Sequence, residues 1–140
     1  MKRIREIVVV LFVFVFVLCD SVSANGMGGS IIIDNAINGE MYTIYKMLDL
    51  ESFDGDNYSY TISSSEWDEF FVSGDGRFYF DVNSNGGVAF VGDEQSMDLV
   101  AQRALAYAKS HESITKKSQR AVGNVVEFKD LDLGYYLVDS

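Results

Sequence analysis

At 140 residues, with 21 acidic against 11 basic side chains and a formal net charge of −10, the chain has room for one small domain. Its acidity repels nucleic acid and anionic lipid. A single cysteine, a single histidine and no proline leave no disulfide framework and no Cys/His metal centre.

The first 24 residues have the three-part plan of a secretory leader: Lys2, Arg3 and Arg5, an unbroken apolar run from Ile7 to Cys19, and the small-residue exit Ser21 to Ala24. Cleavage is expected near Ala24, giving a secreted chain of residues 25–140 with 8 basic and 19 acidic side chains. Cys19 departs with the leader, so the exported domain folds without a disulfide.

Residues 25–29 read as a flexible start. "SIIID" and "MYTIYKMLDL" are strand-like runs joined by "NAING", which supplies hairpin-turn chemistry. "FDGDN" is a second turn and "YSYTI" a third strand, predicting a meander. In "SSSEWDEFF" the period changes: Ser65 can cap, and Trp67, Phe70 and Phe71 share a helical face, so a short helical turn is predicted at about 66–72. "GRFYFDV" and "VAFV" flank "NSNGG" as a hairpin.

Residues 94–111 carry the strongest helix signal, with Met97, Val100, Ala101, Ala104, Leu105 and Ala108 at spacings of three and four. Acids early and Lys109 late suit the helix dipole. The stripe is small and aliphatic, the pattern of a helix lying on a sheet. Two strands follow, around Val125 to Phe128 and from Leu133 onward. The fold class expected is mainly β: an Ig-like antiparallel β-sandwich with one amphipathic helix. An α+β sheet with a helix on one face competes with it.

Several constellations that could carry chemistry read better as structure. Asp81, Asn83, Asn85 and Gly86 match the first half of an EF-hand loop, but Gly92 stands where its last acidic ligand belongs, so no metal is expected. Asp54 with Asp56, and Glu66 with Asp68 and Glu69, imitate glycosidase carboxylate pairs without a cleft-building domain. His111 reads as a solvated helix cap, and Trp67, Phe70 and Phe71 as core. Lys46 is the exception. In a regular strand it shares a face with Tyr42, Ile44, Leu48 and Leu50, where a lysine needs either a bend or a partner.

In order along the chain, the leader, "YTIYKMLDL", "YSYTI", "SSEWDEFF", the helix with "ALAYAKSH" and the closing "FKDLDLGYYLVDS" resemble the N-terminal domain of sortase-assembled backbone pilins of Gram-positive bacteria. The resemblance runs from about Ser30 to Ser140 and is sharpest in "YKMLDL" and "LDLGYYLVDS". It implies a structural subunit of a cell-surface pilus involved in adhesion, secreted and surface-associated, with other pilin subunits and a sortase as partners and a host-surface ligand in reach. It implies no enzyme activity, cofactor, metal or small-molecule substrate. It also implies an intramolecular isopeptide bond from Lys46 to an asparagine, with Glu127 or Asp139 as the assisting acid. Asn124 sits in a turn, a poor acceptor position, so the acceptor is expected beyond Ser140. Residues 30–140 hold no LPXTG-like motif and no pilin-motif lysine, and the domain is expected to be incomplete at its C-terminus. A freestanding secreted β-sandwich that binds a host or cell-wall ligand through its loops is the alternative.

Overall fold

The computed structural model describes residues 11–15, 28–54 and 57–140. Most of the expected leader, residues 25–27 of the expected flexible start, and Asp56 lie outside the described residues. Among the described residues nine strands run in the order β1 (Leu11–Val15), β2 (Gly28–Asp34), β3 (Met41–Asp54), β4 (Asn57–Ile62), β5 (Phe80–Val82), β6 (Gly87–Phe90), β7 (Lys116–Arg120), β8 (Val125–Asp132) and β9 (Gly134–Asp139). Helix α1 (Asp68–Val72) continues a 3-10 turn at Ser65–Trp67, and α2 (Met97–Ser110) continues another at Glu94–Ser96.

Seven strands form one antiparallel sheet in the order β1-β9-β3-β4-β6-β5, with β7 also on β3. β2 and β8 form a separate two-stranded sheet. The architecture is mainly antiparallel β and sandwich-like with a helix packed on it, as the sequence predicts.

The large sheet is covered on both faces. On one side Val100, Ala101, Ala104, Leu105 and Ala108 of α2 and Phe70 and Phe71 of α1 pack on Tyr45, Met47 and Leu137. On the other, Ile31, Val126, Phe128 and Leu131 of the small sheet pack on Tyr42, Ile44, Leu50, Tyr136 and Val138. β3 therefore feeds two cores, and its sequence is apolar on both faces. The alanines of α2 let its axis come close to the sheet. Asp93 Oδ1 accepts from Ser96 N at 2.9 Å and caps the 3-10 turn that α2 continues.

β3 is long enough to take two partners along one edge. Met41–Tyr45 pair with Arg120–Lys116 of β7, and Leu48–Asp54 pair with β4, while β9 runs along the opposite edge from Thr43 to Lys46. β4 and β7 therefore lie end to end, and a gap opens between them beside Lys46.

Four local expectations differ. "NAING" does not close a hairpin, because β2 pairs with β8, so only β3 and β4 remain of the meander. Asn35 and Gly39 adopt positive φ of 62° and 86°, and the N–H groups of Ala36 and Gly39 donate to the Asn124 and Ala121 carbonyls. The link thus crosses from one layer to the other. Gly28 and Gly29, read as part of a flexible start, pair with Asp132 and Leu131. Ser64, not Ser65, stands at the N-cap of the first 3-10 turn, without a side-chain cap bond. "GRFYFDV" is a 3-10 turn, Asp75–Phe78, followed by only three strand residues.

Candidate functional site

Lys46 lies where the regular pairing of β3 fails. Its pairing with β9 reaches Lys46↔Tyr136, and the next bond, Leu50 N–H to Leu133 O, is one residue out of step. Met47 and Leu48, neighbours in sequence, consequently both belong to the helix-side core. This irregularity brings Asp49 round to Lys46: Nζ and Oδ1 form an ion pair between side chains 21 % and 40 % exposed. In an unbroken strand, residues three apart face opposite ways.

The gap between β4 and β7 leaves the Lys46 carbonyl without a strand partner there, and Ser63 fills the role. Its Oγ donates to Lys46 O at 2.6 Å, while Ser63 N donates to Met47 O at 3.0 Å. Behind the lysine stem sits Gly134, the first residue of β9; a Cβ built there would stand 2.8 Å from Lys46 Cε.

Around this point lies a hollow of about 260 Å³ lined by Lys46, Ser63, Trp67, Lys116, Lys117, Asp130, Asp132 and Tyr136 among others. Asp130 is delivered by a β-bulge. Gly29 pairs with Leu131 and Ile31 with Phe128, so Lys129 and Asp130 together oppose Ser30, and Asp130 takes a φ of 56°. Tyr136 donates its hydroxyl to Asp132 O at 2.6 Å. Burial, and next the nearby charges of Asp132 and Asp49, push the Tyr136 phenol well above its ordinary pKa. It therefore remains a neutral donor.

Neither expected assisting acid meets Lys46. Thr43 pairs with Asp139 and Lys46 with Tyr136, so Asp139 is on the helix-facing side of the sheet and Lys46 on the other. Asp139 is 8 % exposed, and its Oδ2 is 3.0 Å from Lys109 Nζ of α2. Its Oδ1 has no hydrogen-bond partner among the described residues. Glu127 is on the outer face of β8, opposite to Val126 and Phe128, 3.9 Å from Lys129 Nζ. The carboxylates gathered near Lys46 are instead Asp49, Asp130 and Asp132. No sequence signal marked them, because a strand irregularity and a bulge place them.

Asn124 is exposed in the turn before β8, and its carbonyl accepts from Ala36 N. His111 is the C-cap of α2, with Nδ1 2.8 Å from Tyr107 O and its ring stacked on Tyr107. Trp67 is 1 % exposed, with ring centroids 5.6 Å from Phe70 and 5.5 Å from Tyr107, a core cluster. Asn83 Oδ1 accepts from Asn85 N and Gly87 N in the β5–β6 turn, so the EF-hand-like stretch uses its side chain locally. No protein-family model, curated protein or solved structure matches this chain.

Proposed function

We propose that the chain is a secreted, cell-surface structural domain of the backbone-pilin kind, serving adhesion, with Lys46 as the nucleophile of an intramolecular isopeptide bond. The supporting observation is the Lys46–Asp49 pair, beside the hollow and backed by Gly134 of β9. A charged ammonium has no lone pair, and Asp49 is placed to take its proton. The neutral amine then attacks the side-chain carbonyl carbon of an asparagine; the new C–N bond forms as the asparagine C–NH2 bond breaks, the amine's second proton passes to the departing nitrogen, which leaves as ammonia, and Asp49 keeps the first. Such a cross-link closes a long loop and restrains the unfolded chain as a disulfide does, in a domain that exports no cysteine.

The acceptor, on this reading, belongs to sequence following Ser140, so the 140-residue chain keeps its unmodified mass. A longer product extending past Ser140 loses about 17 Da, the mass of ammonia, and Lys46→Ala restores it. Protease shaving of intact cells releases the domain. An unshifted mass in the longer product overturns the bond, and a protein confined to the cytoplasm overturns the surface role.

A second reading, a freestanding binding module, is favoured by the hollow itself, about 260 Å³ with a lining that includes Lys116, Lys117, Asp130 and Asp132. Ligand-induced NMR shifts confined to those residues would select it.

A further inference from the structure

The large sheet has edges of contrasting character. β7 presents Lys116, Lys117 and Arg120 and is exposed throughout, and β5 is three residues long with Asp81 at its centre. Short length and charge are how natural sheets prevent unwanted pairing. β9 is less defended: it is six residues long, and its one charged residue, Asp139, stands at its end and is paired with Lys109 of α2. Its sequence, Gly134–Asp139, contains no lysine, arginine or proline, and Leu137 and Val138 are 0 % and 2 % exposed. β3 covers one side of it. The other side is covered by β1, antiparallel and in continuous register from Leu11↔Val138 to Val15↔Gly134.

β1 is part of the expected leader, and the expected cleavage point at Ala24 falls between β1 and β2. Cutting there leaves β1 on the domain with no covalent link, paired along β9. We propose that the outer edge of β9 is a strand-acceptor site. It holds Leu11–Val15 in the uncut chain and, once the leader is severed, takes in trans an extended, uncharged apolar strand of the same kind. The inference rests on the export reading above, since it needs the leader to be removed.

The chemistry of the acceptor follows from its place. A strand added beside β9 alternates its residues between the margins of the helix-side core and the core under the small sheet. An occupant with one polar face would put that face against one of the two cores. The occupant that fits is apolar at every position, which is the composition of Leu-Phe-Val-Phe-Val. Main-chain bonds supply the affinity and apolarity the selectivity, the usual division in strand addition.

The test uses the full chain, purified in detergent and cut after Ala24 with signal peptidase. A labelled peptide of sequence Leu-Phe-Val-Phe-Val with solubilising lysines is the probe, and the same peptide with a central proline is its control. After cutting, residues 1–24 co-elute with the domain, and the probe displaces them while the control does not. Removing the strand speeds amide exchange at Tyr135–Val138 at least about tenfold, and the probe restores protection. A Val13→Pro chain, its strand broken by the missing donor, sheds its leader on cutting and then binds the probe. The proposal is overturned if the cut domain takes up no probe, if it pairs β9 with β9 in a dimer that the probe does not dissolve, or if Val13→Pro retains the leader as well as the parent chain. It is also overturned if the cut domain unfolds and the probe fails to rescue it. Export fails differently: a chain held inside cells with its leader attached would still exchange strands in vitro.

Discussion

Gly134 and Lys46 meet across the β3–β9 boundary: a Cβ on Gly134 would stand 2.8 Å from Lys46 Cε and collide with the Leu48 carbonyl oxygen. The lysine end of that contact is flexible and can yield, but the carbonyl belongs to backbone packed between two cores. Gly134→Ala should therefore lower stability by about 3 kcal/mol, at the upper end of overpacking costs. Urea titration followed by the fluorescence of Trp67, the single tryptophan, measures it. A loss under about 1 kcal/mol would mean that β9 can shift away from β3.

Lys46 itself contributes little to stability. Its side chain is 21 % exposed and paired with a 40 % exposed Asp49, and ion pairs so open to solvent are worth about 0–1 kcal/mol. The sequence alone suggests an uncompensated buried amine, which methionine would relieve. With the partner in place, Lys46→Met should change stability by less than about 1 kcal/mol in either direction. A double-mutant cycle with Asp49→Asn should give a coupling of about 0.5 kcal/mol that shrinks in 1 M salt. A gain above about 2 kcal/mol would restore the picture of a lysine trapped without its partner.

The parts of the fold that the sequence discloses are those whose burial pattern is local. Helix α2 is legible because Val100, Ala101, Ala104, Leu105 and Ala108 form one stripe, and the β5–β6 hairpin because Asn83 and Gly86 have turn chemistry. β7 is not legible. "KKSQR" has no apolar alternation, and it is a strand only because β3 offers an unpaired edge there. The site fails to show for a similar reason. Asp49 reaches Lys46 through a register slip in β3, and Asp130 reaches the hollow through a bulge in β8, and both are set by pairing between distant segments. Lys46 stands out by its own strand pattern, whereas its neighbours do not.

The Lys109–Asp139 ion pair should add to the packing that holds helix α2 on the sheet. Lys109, in its last turn, lies 3.0 Å from Asp139 Oδ2, and the other Asp139 oxygen has no hydrogen-bond partner among the described residues. Removing the lysine leaves a carboxylate on a residue only 8 % exposed without its counter-charge. Lys109→Met should cost about 2 kcal/mol, below the range for a fully buried pair because Lys109 is half exposed. Asp139→Asn in the Lys109→Met background should recover most of that loss, since it removes the stranded charge. Thermal unfolding of the three variants decides it, and a double variant no better than Lys109→Met would place the loss in packing.

The domain should be unusually sensitive to alkali. Tyr60 and Tyr136 are held well above their ordinary pKa of 10.0, and Tyr45, Tyr107 and Tyr135 are raised as well. Desolvation is the leading cause in each case, because burial disfavours the phenolate. The sign follows directly: above pH 10 the unfolded chain loses phenolic protons that the folded chain keeps, so the folded state binds more protons and stability falls as pH rises. Below pH 10 both states are protonated and these groups add no pH dependence. Urea midpoints should therefore be insensitive to the ionisation of these tyrosines up to about pH 9 and drop steeply beyond pH 10, with the phenolate absorbance of these five rings appearing together with unfolding. Tyr136→Phe removes one such group together with its bond to Asp132 O, costing about 1 kcal/mol at neutral pH. It should reduce the alkaline slope by about one proton per molecule. Phenolate absorbance of all eight tyrosines reached before the fold is lost would show that these five rings are accessible to solvent, and that β9 is less firmly enclosed between its two layers than its burial implies.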